Sequence, residues 1–423
     1  MAGFLEILRS GDWLTLGRMR LWALAVLVAS AGGLLYLAAT SNGLIDYQGR
    51  PLGTDFASFY AAGTLVLDGH AAAAFDQASH YARQQALFGA ATPYYGWLYP
   101  PFFLFVAGAL ALLPYLLALI VWQGATFALY LMAIRAVIRT APAASDIQTG
   151  AVWLLLAIAY PAVLINLGHG QNGFLTAALF AAALVTLDRR PGTAGVLFAL
   201  LIYKPQFGLL IPLALLASGR WRTIAAAGAT VALLVLATVL AFGPDIWSAF
   251  LASSKIARVQ LIESGEVGWH KVQSVLAWMR MWGGSVQAAY AIHGAVALTV
   301  AGAIVWLWRS AASYPLKAAG LATASIIAAF HSHDYDLMVL APAIAFLAAD
   351  GLSRGFSPYA KTILAAAWIA PLITRSLAQV TLIPFGTIAT LALFALIMRR
   401  AAGWPAIEPL GPATLARRES SSR

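Results

Sequence analysis

Residues 21–39 read LWALAVLVASAGGLLYLAA, a run of nineteen residues without a charged side chain. About 20 apolar residues in a helix cross the roughly 30 Å hydrocarbon core of a bilayer. No small-residue pattern typical of a signal-peptidase site follows this run. The stretch therefore predicts a retained first transmembrane helix and not a cleaved leader.

The composition of the whole chain agrees with a lipid environment. Of the 423 residues, 61% are hydrophobic and only 10% are charged, whereas a typical soluble domain carries about 25% charged residues. A soluble fold of this size would lack the polar surface that it needs, but lipid requires no such surface. The composition predicts an all-α polytopic membrane protein. The absence of cysteine excludes disulfides, thiolate catalysis and cysteine-ligated metals.

Further apolar runs predict about eleven (10–13) transmembrane helices in a single membrane-embedded domain over residues 1–400. The runs cover 21–40, 102–138, 150–167, 172–187, 193–203 with 206–217, 223–242, 287–308, 316–330, 337–350, 362–374 and 380–398. Several are short, as expected where helices tilt or break inside a protein-lined cavity. The polar residues 401–423 are expected to form a disordered cytoplasmic tail.

Basic residues set the expected orientation, because cytoplasmic loops carry an excess of Lys and Arg. One side collects Arg18, Arg20, Arg135, Arg139, Arg189, Arg190, Arg220, Arg222, Arg309, Lys317, Arg354, Lys361, Arg399 and Arg400. Topology and anionic lipid headgroups explain the net charge of +10 better than nucleic acid does. We therefore expect an inner (plasma) membrane protein whose other side, periplasmic or extracytoplasmic, receives residues 41–100, 167–172, 203–206, 243–285 and 331–336.

Two features complicate this topology. The run 102–138 resembles two helices hinged at Pro114, yet the charge pattern requires an odd number of crossings there, which a re-entrant first piece would provide. The outer segments 41–100 and 243–285 are too long for simple turns. Their amphipathic stretches predict interfacial helices that could form a roof over a site at the outer leaflet.

Asp55 is the most informative ionisable residue, since it follows the first span and lies near membrane depth. It could cap the N-terminus of a helix. It could also act as a general base that accepts a proton from an acceptor hydroxyl. The spacing alone leaves both interpretations open.

Several polar residues interrupt later apolar runs and are candidate substrate-binding groups. Tyr99 precedes a Pro-Pro helix start, whose simpler interpretation is a helix entry with an aromatic belt. The break Asn166–Asn172 carries His169, Gln171 and Asn172, which suit sugar hydroxyls or an ordinary turn. Lys204 is followed by Pro205 and Gln206 and interrupts an apolar run. A charged lysine at membrane depth carries a high free-energy cost unless it meets an anion such as a lipid phosphate. The alternative for Lys204 is snorkelling to the interface.

The segment 331–336 is the densest ionisable cluster in the chain. Its members His331, His333, Asp334 and Asp336 could bind a metal, could orient a phosphate or hydroxyl with a histidine that titrates near neutral pH, or could cap a helix. His270 and Lys271, which follow Glu263 and Glu266, could reach the same cavity. Arg375 could add a phosphate contact or anchor its helix at the interface.

In their order along the chain, these motifs resemble glycosyltransferase family 87, a group of GT-C-fold enzymes, over residues of about 20 to 400. The motifs are Asp55 with Tyr60, Gly69 with Phe75-Asp76, Tyr99-Pro100-Pro101, Leu112-Leu113-Pro114, Gly170-Gln171-Asn172, Gly195 leading to Lys204, Trp221-Arg222, and Tyr335-Asp336 with Leu340-Ala341-Pro342.

The resemblance implies a GT-C-like bundle that transfers a hexose, usually mannose, from a polyprenyl-phosphate sugar to a lipid-linked or glycan acceptor on the outer face, with inversion. It implies that Asp55 is the base and that a histidine, His333 or its rival His331, takes part. No cofactor is required, and assistance by a divalent metal is left open.

A transporter or flippase for a lipid-linked glycan is the alternative function. Transporters often contain paired repeats with broken helices in corresponding positions, and the sequence shows no convincing internal repeat. A non-catalytic assembly subunit is a third hypothesis. Expected partners are the donor, the acceptor and membrane lipids, without nucleic acid.

Overall fold

A computed structural model describes residues 2–140, 151–266 and 268–403, which form helices joined by short loops and isolated β-bridges. The α-helices are α1 (Ala2–Ser10), α2 (Leu16–Ala39), α3 (Phe56–Leu67), α4 (Gln77–Phe88), α5 (Phe103–Ala111), α6 (Tyr115–Ile138), α7 (Val152–Ile158), α8 (Pro161–His169), α9 (Gly173–Thr186), α10 (Pro191–Leu200), α11 (Pro205–Gly208), α12 (Ile211–Ala217), α13 (Trp221–Phe242), α14 (Asp245–Ala257), α15 (Val275–Met281), α16 (Val286–Arg309), α17 (Tyr314–Ala328), α18 (Leu340–Arg354), α19 (Ala360–Thr381) and α20 (Phe385–Ala401). Short 3₁₀ turns occupy Ala71–Phe75, Leu201–Tyr203, Trp269–Lys271 and Asp334–Val339, and a π-helical turn occupies Arg258–Glu263.

The all-helical membrane architecture is confirmed, but the predicted number of about eleven spans is not. Within the described ranges, six helices are long and apolar enough to cross a bilayer, or seven if α7 and α8, bent by 44°, form one span. Other apolar helices, such as α3 and α9, have 10–17 residues, fewer than the roughly 20 that a perpendicular crossing requires. The helix α20 ends at Ala401, and residues 404–423 of the predicted tail lie outside the described part. A single domain over residues 1–400 stays a prediction.

The predicted hinge at Pro114 separates α5 from α6. With nine residues, α5 is only about 14 Å long and cannot add a crossing. It packs instead against α3, where a Cβ on Gly63 would lie 2.1 Å from the carbonyl oxygen of Ala107. Only glycine permits this approach. The run 102–138 thus supplies one crossing, as the charge pattern requires.

The two long outer segments contain the predicted helices and contact each other. The rings of Phe75, before α4, and Phe250, in α14, lie 5.8 Å apart. The side chain of Gln260 donates a hydrogen bond to the side-chain oxygen of Gln77, 3.2 Å away. These contacts join both segments at the end of the bundle opposite the basic residues Arg139 and Arg354. A location in the membrane interface stays a prediction.

Candidate active site

Asp55 immediately precedes α3 but does not cap it through its side chain. Its carboxylate is half-buried and accepts a hydrogen bond of 2.9 Å from the side-chain amide of Gln171. The fold therefore turns this carboxylate toward another part of the chain and away from its own helix. This geometry favours a role in a site over helix capping.

The orientation of the Gln171 amide is fixed by its other contacts. Its side-chain oxygen accepts hydrogen bonds from the Tyr99 hydroxyl, at 3.3 Å, and from the Asn172 backbone N–H, at 3.1 Å. Because the oxygen already receives these donors, the NH₂ group must face Asp55. The backbone carbonyl of Gln171 accepts from Gln123 in α6. Tyr99, Gln171 and Asp55 form one hydrogen-bonded chain.

The turn that carries Gln171 is held tightly against the start of α3. Gly170 adopts a left-handed conformation with φ of +61°, and a Cβ there would lie 2.5 Å from Cβ of Phe56. Trp122 donates to the Gly170 carbonyl at 3.1 Å. The Nδ1 atom of His169 lies 2.7 Å from the hydroxyl of Thr54. Glycine is required here by both backbone conformation and space.

Asn172 is a fully buried polar group in this turn. Its side chain is fully buried, and neither amide atom has a protein hydrogen bond of normal geometry, although the amide lies beside the Tyr99 hydroxyl. A buried polar group without a partner costs about 1–3 kcal/mol. Buried polar groups without a partner are rare in folded proteins and are often found where a site has a functional role.

The second half of the site is the segment 331–336, which a buried ion pair fixes in place. Nζ of Lys204 lies 2.5 Å from Oδ1 of Asp336, and both side chains are buried. The other oxygen of Asp336 accepts from the backbone N–H of His333 at 2.9 Å. The sequence predicts a lipid phosphate as the partner of Lys204, and the structure shows Asp336 in that place. The lysine thereby shapes the loop that carries His333.

The two histidines of this loop are adjacent and neutral near pH 7. The ring centroids of His331 and His333 lie 4.6 Å apart, and His333 stacks on Tyr335 at 5.1 Å. Burial lowers the pKa of His331 to about 4. Burial, followed by electrostatic repulsion from His331 and from the cations Lys204 and Arg375, lowers the pKa of His333 well below its usual value, because each of these makes a second positive charge unfavourable. Both rings can therefore donate or accept hydrogen bonds as neutral imidazoles.

Cations line the other wall of the site. Nε of Arg375 lies 2.7 Å from Oδ2 of the buried Asp334, while the arginine side chain is 35% exposed. Burial and the charges of Arg375 and Arg50 lower the pKa of Lys271, whereas the charges of Asp334 and Asp55 oppose that shift. Lys271 therefore lies within electrostatic range of both Asp55 and Arg375.

Tyr99 connects the two halves. Burial, and then the charges of Asp55 and Asp336, raises the pKa of Tyr99 well above its usual value. The rings of His169 and Tyr335 lie 6.3 Å apart. Asp55, the histidine pair and the cations thus lie around one region, which we call the chamber.

Two predicted site residues lie apart from this chamber. The hydroxyl of Tyr60 donates to the backbone carbonyl of Leu113 at 2.9 Å and its ring packs against Tyr115. Gln206 is half-buried and makes no hydrogen bond to the cluster. In the described part of the chain, no three His, Asp or Glu side chains are arranged to hold a metal ion.

Sequence reasoning missed several residues that support the site. Thr54 holds His169. Asn166 donates to the backbone carbonyl of Tyr335 at 3.1 Å and accepts from the N–H of Gly173. Gln123, a polar residue within the apolar helix α6, could have been found from that contrast. Thr54 carries no such signal, because its partner His169 lies 115 residues away. Asn166 opens the polar break that the sequence indicates, but its contact with Tyr335, 169 residues away, has no local pattern.

Comparison with known proteins identifies the family. The sequence model of glycosyltransferase family 87 matches residues 97–332, more than half of the chain, whereas the searches of curated proteins and of solved structures gave no match. The matched range contains the 166–172 turn, Lys204 and Lys271, while Asp55 and Arg375 lie outside it. The helices that build this chamber are therefore those of a membrane glycosyltransferase, and the chain belongs to glycosyltransferase family 87.

Proposed function

We propose that this protein transfers a mannose-like hexose from a polyprenyl-phosphate sugar to a hydroxyl group of a lipid-linked or glycan acceptor, with inversion. The observation that carries this proposal is the placement of one half-buried carboxylate, Asp55, in the same chamber as Lys271 and Arg375. A base and a cationic phosphate site are the two elements that such a transfer needs.

In the proposed reaction, the acceptor oxygen attacks the anomeric carbon from the face opposite the phosphate. Its proton passes to Asp55, the new carbon–oxygen bond forms, and the bond from the anomeric carbon to the phosphate oxygen breaks. The electron pair leaves with the polyprenyl phosphate, whose added negative charge Lys271 and Arg375 stabilise. Asp55 then releases its proton to solvent.

Neutral groups position the sugar. The buried amide of Asn172 and the imidazoles of His331 and His333 offer hydrogen bonds without a charge, and this suits hydroxyl groups. His333 then orients the donor, because its lowered pKa keeps the ring neutral at pH 7 and so removes the imidazolium form that would act as a general acid. Because the donor phosphate is already a good leaving group and protein cations receive it, the proposed reaction requires no metal ion or other cofactor.

The test uses the purified full chain in detergent with a radiolabelled polyprenyl-phosphate mannose and a lipid-linked acceptor, in the presence of a chelator. We expect sugar transfer by the native protein and a loss of about 10²- to 10⁴-fold in kcat for Asp55→Asn. The matched control is Asp68→Asn at the other end of α3, because Asp68 forms a surface ion pair with Arg83.

Three results would contradict the proposal. Equal turnover by Asp55→Asn and Asp68→Asn would remove Asp55 as the base. A donor that stays intact while its lipid crosses the bilayer would indicate a transporter. Loss of transfer on chelation would show that the reaction needs a metal ion.

A further inference from the structure

The short helix α1 carries an apolar face that is exposed on the surface of the described part of the protein. Phe4 is 64% exposed, and Leu5 and Ile7 are each 50% exposed. With 3.6 residues per turn, Phe4, Ile7 and Leu8 share one side of the helix, Leu5 lies at the edge of that side, and Glu6 lies opposite. This arrangement is that of an amphipathic helix.

The end of α1 is fixed to the first turn of α19. The backbone N–H of Tyr359 donates to the carbonyl oxygen of Arg9 at 2.8 Å, and the hydroxyl of Thr362 donates to that of Leu8 at 2.7 Å. Tyr359 adopts a left-handed conformation with φ of +65°, which is strained for a residue other than glycine and persists only where its surroundings enforce it. The position of α1 is therefore set by the fold and not by a free tether.

These contacts place α1 at a boundary of the membrane. Both α2 and α19 are long and apolar enough to cross a bilayer, and Nε1 of Trp13, just before α2, donates to the hydroxyl of Thr362 in α19 at 3.1 Å. The exposed apolar side chains of α2 begin with Leu16, which is 37% exposed, and continue with Leu21, which is 66% exposed. The hydrocarbon boundary thus lies close to the first turns of both helices, where α1 is fixed.

The apolar face of α1 cannot extend far from this boundary. Phe4 precedes Arg9 by five residues, or about 7.5 Å along a helix. The headgroup layer on each side of a bilayer is itself about 5–8 Å deep. The face therefore stays within that layer at any tilt of α1. Arg18 and Arg20, both exposed in the first turns of α2, suit the anionic headgroups there.

We propose that α1 is an interfacial anchor, which lies in the headgroup layer at the basic end of the bundle and inserts Phe4, Leu5 and Ile7 among phospholipid acyl chains. Burial of their apolar surface favours this position. Because α1 is bonded to α19 and leads into α2, the anchor fixes the depth of both helices in the membrane. The inference concerns the lipid surface and does not depend on the proposed sugar transfer.

The experiment measures the depth of single side chains in a bilayer. The chain contains no cysteine, so Phe4→Cys and Ile7→Cys can each carry one nitroxide spin label in the otherwise native full chain. The matched control is Glu6→Cys, on the opposite side of the same helix. All three positions are exposed, and the substitutions remove no buried contact. Electron paramagnetic resonance in vesicles of phosphatidylglycerol and phosphatidylcholine compares collisions with oxygen, which concentrates in acyl chains, and with a water-soluble nickel chelate.

We expect the ratio of oxygen to nickel collisions to be about threefold or more higher at Phe4→Cys and Ile7→Cys than at Glu6→Cys, in line with insertion by about 5–10 Å. A ratio at both apolar positions equal to that at Glu6→Cys would overturn the proposal, because the face would then be in water. Dipolar broadening of the Phe4→Cys and Ile7→Cys spectra that disappears on dilution with unlabelled protein would also overturn it, because a second copy of the chain would then cover the face.

Discussion

At the scale of single residues, the position of Asp55 depends on Gln171. The amide of Gln171 cannot rotate, because its oxygen accepts from both Tyr99 and the Asn172 backbone. The sequence predicts Gln171 as a substrate-binding residue, and the structure adds that it contacts the proposed base directly. A hydrogen bond to a charged carboxylate contributes about 1.5–3 kcal/mol, enough to select one rotamer of Asp55.

Replacement of Gln171 by Leu should therefore act on turnover more than on substrate binding. We expect kcat to fall about 10- to 100-fold, in line with a misplaced general base, while KM for the donor changes less than threefold. Gln171→Glu would add a second carboxylate and should lower kcat as well. Steady-state kinetics of both variants check this prediction. A rise in KM at constant kcat would instead show that Gln171 binds substrate.

The sequence indicated these residues without revealing how they pair. Asp55, Lys204 and the 331–336 cluster stand out because charged groups are rare among apolar runs. The partner of Lys204 lies 132 positions away, and no local pattern encodes such a pairing. Tyr60 shows the opposite error, because a conspicuous position in a motif placed it in the site although its hydroxyl binds Leu113.

At the scale of elements, the pair Lys204–Asp336 joins the break before α11 to the 3₁₀ turn before α18. Removal of one member of a buried ion pair leaves an uncompensated charge and costs about 3–5 kcal/mol. We expect Lys204→Met and Asp336→Asn each to lower the unfolding temperature clearly, and the double variant to lose less than either single one. Thermal unfolding of the three purified variants checks this. Additive losses would show that the two charges do not interact.

The helix α4 is held by a histidine that must stay neutral. His80 is fully buried and contacts the Ser58 carbonyl at 3.1 Å, while the amide of Gln84 donates to its Nδ1 at 3.2 Å. The same amide is fixed by the backbone of Tyr95. Because Gln84 cannot turn, a proton on Nδ1 would face another donor. Burial lowers the pKa of His80 to about 4, and the hydrogen bond to Ser58 opposes this shift only partly.

Stability should consequently decrease as the solution becomes acidic. The unfolded chain takes up a proton at His80 below its ordinary pKa of 6.5, whereas the folded chain does so only near 4. The contribution is thus complete above pH 6.5 and is lost progressively between pH 6.5 and 4. In this window, the free energy of unfolding of the native protein should fall with each pH unit by about 1.4 kcal/mol more than that of the His80→Asn variant. Denaturation experiments at several pH values check this prediction. An equal pH dependence of the free energy of unfolding in the two proteins would contradict it.

Helix types were predictable from the sequence, but helix roles were not. An apolar run indicates burial in lipid or in protein equally well, so the runs that contain α5 and α9 could be counted as spans until the lengths of these helices were known. Pro114 was readable as a hinge because proline cannot continue a helix interior. The packing of α5 on α3 depends on one close contact at Gly63, which no periodicity reports.

At the scale of the whole molecule, the basic helix ends and the proposed chemistry lie at opposite ends of the helix bundle. Arg139, Arg354 and Lys361 lie at helix ends opposite the chamber that contains Asp55. If the basic side faces the cytoplasm, as the positive-inside rule predicts, the chamber opens to the outer face and a lipid-linked donor reaches it from the outer leaflet.

The absence of native cysteine makes this orientation directly measurable. Gln48→Cys, in the loop before Asp55, and Thr193→Cys, at the basic end, are both exposed positions and would each carry a unique thiol. In intact cells a membrane-impermeant maleimide should label Gln48→Cys and should label Thr193→Cys only after permeabilisation. The reverse pattern would place the chamber on the cytoplasmic side. The donor sugar would then have to be presented from the inner leaflet.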